Sequence, residues 1–72
     1  MNAPDLKQLF DAGARLFQQR RFEEACRTFQ RAAALAPGSA PAWCNLAAAC
    51  IELRQPAQAL AAAERAIALD PA

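Results

Sequence analysis

The stretch Ala66-Ile67-Ala68-Leu69-Asp70-Pro71 matches the stretch Ala32-Ala33-Ala34-Leu35-Ala36-Pro37 in its first alanine, its leucine and its proline, at a 34-residue step. The same step pairs five further positions: Leu9 with Trp43, Ala12 with Leu46, Gly13 with Ala47, Leu16 with Cys50, and Ala25 with Ala59. A constant step over so many positions indicates an internal repeat, in which one structural unit occurs twice.

Three breaks divide the chain into helical segments. They lie at residues 18–21, 37–39 and 53–56, and two of them contain proline. The segments between them are rich in alanine, leucine, glutamine, glutamate and arginine, and their apolar residues recur at steps of three and four, which predicts helices. These four segments span about residues 3–19, 22–36, 40–53 and 56–69. Ser39 is predicted to cap the third helix, and Pro56 to lie in the first turn of the fourth.

Composition excludes several classes of function. The chain has 72 residues, which allows one small domain, and its net charge of +1 gives no general attraction to nucleic acid or to an anionic membrane. It has no histidine, which removes histidine-based catalysis and histidine metal ligands. No signal peptide and no apolar run of membrane-spanning length is visible, so we expect a cytoplasmic protein. We expect no cofactor, no metal and no membrane partner.

Three cysteines, Cys26, Cys44 and Cys50, form no Cys-x-x-Cys pair. An odd number of cysteines, in a chain without histidine, argues against a disulfide framework and against a zinc site. We interpret them as small buried apolar residues in a reducing compartment. Arginine outnumbers lysine seven to one in an alanine-rich chain, which suggests a GC-rich bacterial gene.

A 34-residue unit of two helices resembles the tetratricopeptide repeat (TPR) family, whose pattern is Trp-x-x-Leu-Gly-x-x-Tyr, then Ala-x-x-x-Phe, then Ala and Pro. The pattern is met by Gly13, Ala25, Phe29, Ala32 and Pro37 in the first repeat and by Trp43, Leu46, Ala59, Ala66 and Pro71 in the second. The tyrosine is replaced by Leu16 and Cys50, and Ala63 replaces the second phenylalanine. The resemblance covers residues 6–72. It implies an all-α superhelix, or solenoid, with four antiparallel helices in one domain, residues 1–72, with repeats at about 6–39 and 40–72.

The resemblance also implies a non-catalytic scaffold for protein–protein interaction, which binds a peptide, a helix or a second copy of itself through an apolar concave surface. In the family this surface is lined by the first helix of each repeat, which here corresponds to Lys7, Phe10, Ala14, Phe17, Gln18, Pro41, Cys44, Ala48, Ile51 and Glu52. Asn45 is retained from the family's clamp for the carboxylate of chaperone tails, but Phe10 and Ala14 replace its lysine and asparagine, so we expect no such clamp. The alternative is that these apolar residues pack against the chain's own ends or a second copy.

Two repeats leave the outer face of the last helix without a neighbour, whereas about three repeats are usual for a stable array. This face is predicted to carry Leu60, Ala63 and Ile67. Either a second copy covers it in a homo-oligomer, or the chain is a piece or appendage of a larger protein, such as an enzyme, used for assembly. We favour self-association.

Two other classes are weaker. Nucleic-acid binding would use the arginines of the first repeat, which are Arg15, Arg20, Arg21, Arg27 and Arg31. Glu23 and Glu24 interrupt this cluster, and no aromatic residues interleave with it to stack on bases.

The same two glutamates are adjacent and so diverge by about 100° on a helix, which prevents them from acting as a catalytic pair. With no phosphate-binding glycine loop, we expect that the chain is not an enzyme.

Overall fold

Four helices make up the computed structural model, which describes residues 3–71. They are α1 (Leu6–Gln18), α2 (Phe22–Leu35), α3 (Ala40–Glu52) and α4 (Pro56–Leu69). The predicted all-α fold of two helix pairs is confirmed, and no strand occurs in the described residues. Across residues 3–71, each helix is too short or too polar to cross a bilayer.

Local signals fix where the helices begin. The Asp5 carboxylate accepts a hydrogen bond from the Gln8 N–H at 2.8 Å, and the Gln8 side chain accepts one from the Asp5 N–H at 2.9 Å. This reciprocal capping box explains why α1 begins at Leu6, slightly later than the sequence predicts. The predicted Ser39 cap of α3 is confirmed, because its hydroxyl accepts from the Ala42 N–H at 3.3 Å.

Each repeat turns between its two helices through an arginine in the left-handed conformation. Arg20 has a φ of 62° and Arg54 a φ of 58°. After α1, the Arg21 N–H donates to the Leu16 carbonyl at 2.9 Å and the Arg20 N–H to the Phe17 carbonyl at 3.0 Å. The same pair of bonds recurs at the matching positions of the second repeat, after α3. This is the Schellman motif, in which glycine is the usual left-handed residue.

The helices pack in chain order, α1 on α2, α2 on α3 and α3 on α4. Small residues lie at the helix crossings and allow close approach, and Ala25 and Ala32 are fully buried there. Gly13 faces the ring of Phe29, and a Cβ at this position would lie 2.6 Å from its Cζ. A small residue on α1 therefore makes room for a large residue on α2.

The connection between the two repeats is held by Trp43. Its indole N–H donates to the Pro37 carbonyl at 2.9 Å, and the Arg65 guanidinium lies 5.0 Å from the centre of its ring. The half-buried indole thus ties the α2–α3 turn to α4. This contact fixes how the second repeat follows the first.

Candidate functional site

A groove runs between α1 and α3, the first helices of the two repeats. Its cavity of 260 Å³ is lined by Ala14, Phe17, Gln18, Phe29, Asn45 and Ala48. Five of these six residues are the ones that the family resemblance placed on the concave surface or in its clamp. Phe29 was identified only as part of the repeat pattern, and it reaches the floor of the groove because Gly13 leaves space above its ring. The sequence contained one signal for this position of Phe29, because the first repeat has both the small Gly13 and the large Phe29.

The phenylalanines of the predicted stripe are less exposed than a bare apolar groove would require. Phe10 and Phe17 are half-buried and pack against the chain's own core. The Phe17 ring meets the Phe22 ring edge to face, with centroids 5.0 Å apart and planes at 74°. Ile51, by contrast, is 63% exposed. Most of the bare apolar surface therefore lies in the second repeat.

The remaining residues of the predicted stripe lie elsewhere. Lys7 forms an ion pair with Asp11 at 2.9 Å, and this hydrogen bond raises the pKa of Lys7 above its usual value. Pro41 and Cys44 line a second cavity of 260 Å³, together with residues of α4 that include Ile67. Ile51 and Glu52 are exposed near the end of α3. Apart from Lys7 and Phe10 on α1, the predicted stripe is thus divided between the groove and the end of the molecule formed by α3 and α4.

The outer face of α4 carries two large apolar residues, as the sequence predicts. Leu60 is 61% exposed and Ile67 is 63% exposed. Their counterparts in the first repeat are Cys26, which is 5% exposed, and Ala33, which is 2% exposed. Ala63 differs from the prediction, because it is half-buried and packs against the core. We call the surface formed by Leu60 and Ile67 the open face.

In the first repeat, α3 covers the surface that corresponds to the open face. It packs against α2, and its Ala42 and Ala49 are fully buried. In α1, which has no repeat before it in this structure, the same positions hold Gln8 and Arg15, and both are exposed. The two alanines are therefore buried by the first repeat, and their small size lets α3 lie close to α2.

Several of the arginines considered for nucleic-acid binding are engaged within the chain. Arg21 pairs with Glu24 at 2.7 Å, and Arg27 lies 3.6 Å from Glu23. The Arg20 guanidinium lies 5.7 Å from the centre of the Phe22 ring. These contacts neutralise part of the basic cluster, which weakens the case for nucleic-acid binding.

Comparison with protein-family models gives two matches. Residues 6–49 match one model of the tetratricopeptide repeat, and residues 40–72 match another. Together they cover both helix pairs of the structure. No curated protein matches the sequence.

Proposed function

Since the chain belongs to the tetratricopeptide repeat family, whose repeats mediate protein–protein interaction, we propose that it is a protein-binding module that holds a helix of a partner protein on its open face. Domains of this type are typically scaffolds without catalytic activity. Beyond this general role of the family, we propose which surface of the chain binds the partner and that the bound part of the partner is a helix.

One observation carries the proposal. Positions that are buried by a neighbouring helix in the first repeat hold larger apolar side chains in the second repeat, where they are exposed. Leu60 and Ile67 are two helical turns apart and so share one side of α4. The cavity that joins Ile67 to Pro41 and Cys44 extends this apolar surface onto α3. Large exposed apolar side chains grouped in this way, with the exposed Glu64 between them along α4, are typical of a protein interaction site.

The shape of the partner follows from α3, the helix that covers the equivalent surface of the first repeat. We expect a partner helix with alanine-sized residues two turns apart, like Ala42 and Ala49. A second copy stacked head to tail would present Gln8 and Arg15 at those places. Burying the Arg15 charge against an apolar surface without a partner would oppose such stacking. The structure therefore favours a helix from another polypeptide over head-to-tail self-association.

The groove is a second candidate surface for a protein segment. Ala14, Phe17 and Ala48 supply apolar lining, and the amides of Gln18 and Asn45 supply polar groups at the same cavity. An apolar depression with a few polar groups fits a short peptide segment. We propose it as a weaker, additional contact that fixes the orientation of a partner.

A peptide with the sequence of α3, residues 39–53, is a direct probe of the open face. We expect it to bind the full chain in isothermal titration calorimetry, because it has the shape that already packs on the first repeat. The matched control is the same peptide with Ala49→Arg, which we expect not to bind. Equal binding of both peptides, or no binding of either, would contradict the proposal.

Variants of the chain locate the binding surface. Ile67→Gln on the open face is expected to abolish binding of the α3 peptide, whereas Gln18→Ala in the groove should leave it unchanged. Light scattering of the chain alone tests the predicted homo-oligomer. A dimer that Ile67→Gln converts to a monomer would identify a second copy as the helix donor in place of a partner protein.

A further inference from the structure

Two cysteines from different repeats lie side by side in the core. The Sγ atoms of Cys26 on α2 and Cys50 on α3 are 3.9 Å apart. Cys26 is 5% exposed and Cys50 is 1% exposed, in agreement with the expectation that the cysteines are buried. That expectation is wrong for Cys44, which is exposed and lines the cavity at the α3–α4 end. Because α2 belongs to the first repeat and α3 to the second, this pair lies across the inter-repeat interface.

We propose that Cys26 and Cys50 form a redox modification site, at which a peroxide oxidises the two thiols to a disulfide that joins the repeats. A disulfide needs an S–S distance of about 2.05 Å, so the two sulfur atoms must approach each other by roughly 2 Å. Rotation of the two side chains, with an adjustment of the packing of α2 on α3, must supply this movement.

Each of the two cysteines lines a surface cavity. Cys26 lines a cavity of 210 Å³ together with Arg27, and Cys50 lines a cavity of 430 Å³. Gln30 and Gln58 line both cavities, so the two openings are adjacent. Either volume is large enough for a hydrogen peroxide molecule, which is only slightly larger than one water molecule. The buried pair is therefore open to a small oxidant, although it is closed to a protein thiol.

The environment of the two thiols sets the order of the steps. Cys26 is the more exposed of the two thiols, at 5% against 1%, so we assign the first attack to Cys26. Burial, together with the neighbouring Cys26 thiol, raises the pKa of Cys50 to about 11. Cys50 therefore stays protonated near neutral pH and acts second.

The reaction balances with one peroxide per chain. Cys26 gives up its thiol proton, and its sulfur attacks one peroxide oxygen. An S–O bond forms and the O–O bond breaks. The departing hydroxide takes up the proton from Cys26 and leaves as water. The Cys50 sulfur then attacks the Cys26 sulfenic acid, so that the S–S bond forms and the S–O bond breaks. The hydroxyl group leaves with the Cys50 proton as a second water. Two thiols and one peroxide thus give one disulfide and two waters.

The disulfide would tie α2 to α3 and close a loop of residues 26–50. Such a link restricts the unfolded chain and holds the two repeats at a fixed angle, which also fixes the width of the groove between α1 and α3. We expect the oxidised chain to unfold at a midpoint temperature higher by roughly 10 °C.

The test uses the full chain with Cys44→Ser, which removes the exposed thiol and prevents links between chains. After treatment with hydrogen peroxide, we expect mass spectrometry to show a monomer that has lost two hydrogen atoms and has no free thiol. The midpoint temperature should rise, and dithiothreitol should reverse both changes. The matched controls add Cys50→Ser, which should gain oxygen at Cys26, or Cys26→Ser, which should gain little oxygen because Cys50 stays protonated, and neither control should show a rise in the midpoint.

Three results would overturn the proposal. Both thiols could remain free after the oxidant has converted Cys44 in the parent chain. The two cysteines could each gain oxygen atoms without forming a link. The link could also form with a lowered midpoint temperature, which would show that the disulfide is incompatible with the packing of α2 on α3.

Discussion

The two repeats place matching positions in different surroundings. Cys26 and Ala33 of the first repeat are small and buried under α3, whereas Leu60 and Ile67, their counterparts in the second, are large and exposed. The outer side of α1 carries polar residues such as Arg15, so the two ends of the molecule also differ. A face that stays in water gains nothing from large apolar residues, whereas a face that meets another helix does. This difference is the reason for proposing the end formed by α4 as the interacting end.

We expect the largest difference between the repeats when the same polar residue is placed at one pair of matching positions. Ala33→Gln places an amide in a site that is 2% exposed, and we expect it to destabilise the fold by about 3 kcal/mol through overpacking and an unpaired polar group. Ile67→Gln at the matching exposed site should change the free energy of unfolding by less than about 0.5 kcal/mol. Urea unfolding measures both. Equal losses in the two variants would mean that the open face is already covered.

The second repeat has Ala47 and Ala63 where the first has Gly13 and Phe29. The close packing of Phe29 on Gly13 is therefore particular to the first repeat, and we expect the next largest effect there. Alanine normally stabilises a helix relative to glycine by about 1 kcal/mol. Here the new Cβ would lie within 3.0 Å of the Phe29 ring, so we expect Gly13→Ala to destabilise the fold by about 1–2 kcal/mol.

Thermal unfolding of Gly13→Ala and of the double variant with Phe29→Leu tests this explanation. The smaller side chain at position 29 should remove most of the added cost. A stabilised Gly13→Ala single variant would show that the Phe29 ring moves freely into the groove.

A pH effect separates Cys50 from Leu16, its counterpart in the first repeat. Burial raises the pKa of the Cys50 thiol to about 11, whereas a thiol in an unfolded chain ionises near 8.5. Between these values the unfolded chain loses a proton that the folded chain keeps, so folding stability falls as pH rises. We expect a loss of roughly 1–2 kcal/mol between pH 9 and pH 11 by urea unfolding. Cys50→Ala should flatten this part of the curve, and an unchanged slope would assign the effect to other groups.

The smallest expected effect concerns the two left-handed arginines. Arg54→Gly should stabilise the fold by about 0.5 kcal/mol, because glycine takes a positive φ without steric cost but loses more entropy on folding. Arg20→Gly should gain less, because Arg20 also lies over the Phe22 ring, where the second repeat has Pro56. Precise thermal unfolding of the two variants compares them. A larger gain at Arg20 would contradict the role given to this cation–π contact.

The sequence predicts the fold well because the repeat step, the breaks and the helix spacing are properties of the chain itself. It also predicts that Leu60 and Ile67 are exposed, since none of the four predicted helices follows α4 to cover them. It did not predict the capping box at Asp5, the half-buried state of Phe17 or the meeting of Cys26 with Cys50. These depend on the angle between helices and on side-chain conformations, which a spacing of residues does not contain.

The groove shows the same limit. Family positions brought together five of its six lining residues, but they also included Pro41 and Cys44, which the structure places at the α3–α4 end. Whether any of these residues binds a partner stays a prediction, because spacing and packing define a surface and leave its ligand open.

A chain extended by its own covering helix would test whether the open face accepts a helix. The sequence of α3 is appended so that it follows Pro71 with the same spacing by which α3 follows Pro37, and the control extension carries arginine at the place of Ala49. We expect the extension to raise the free energy of unfolding by about 2 kcal/mol, through burial of Leu60 and Ile67, and the control to raise it by much less. No gain from the extension, or the same gain from both extensions, would show that the open face does not receive a helix as the first repeat receives α3.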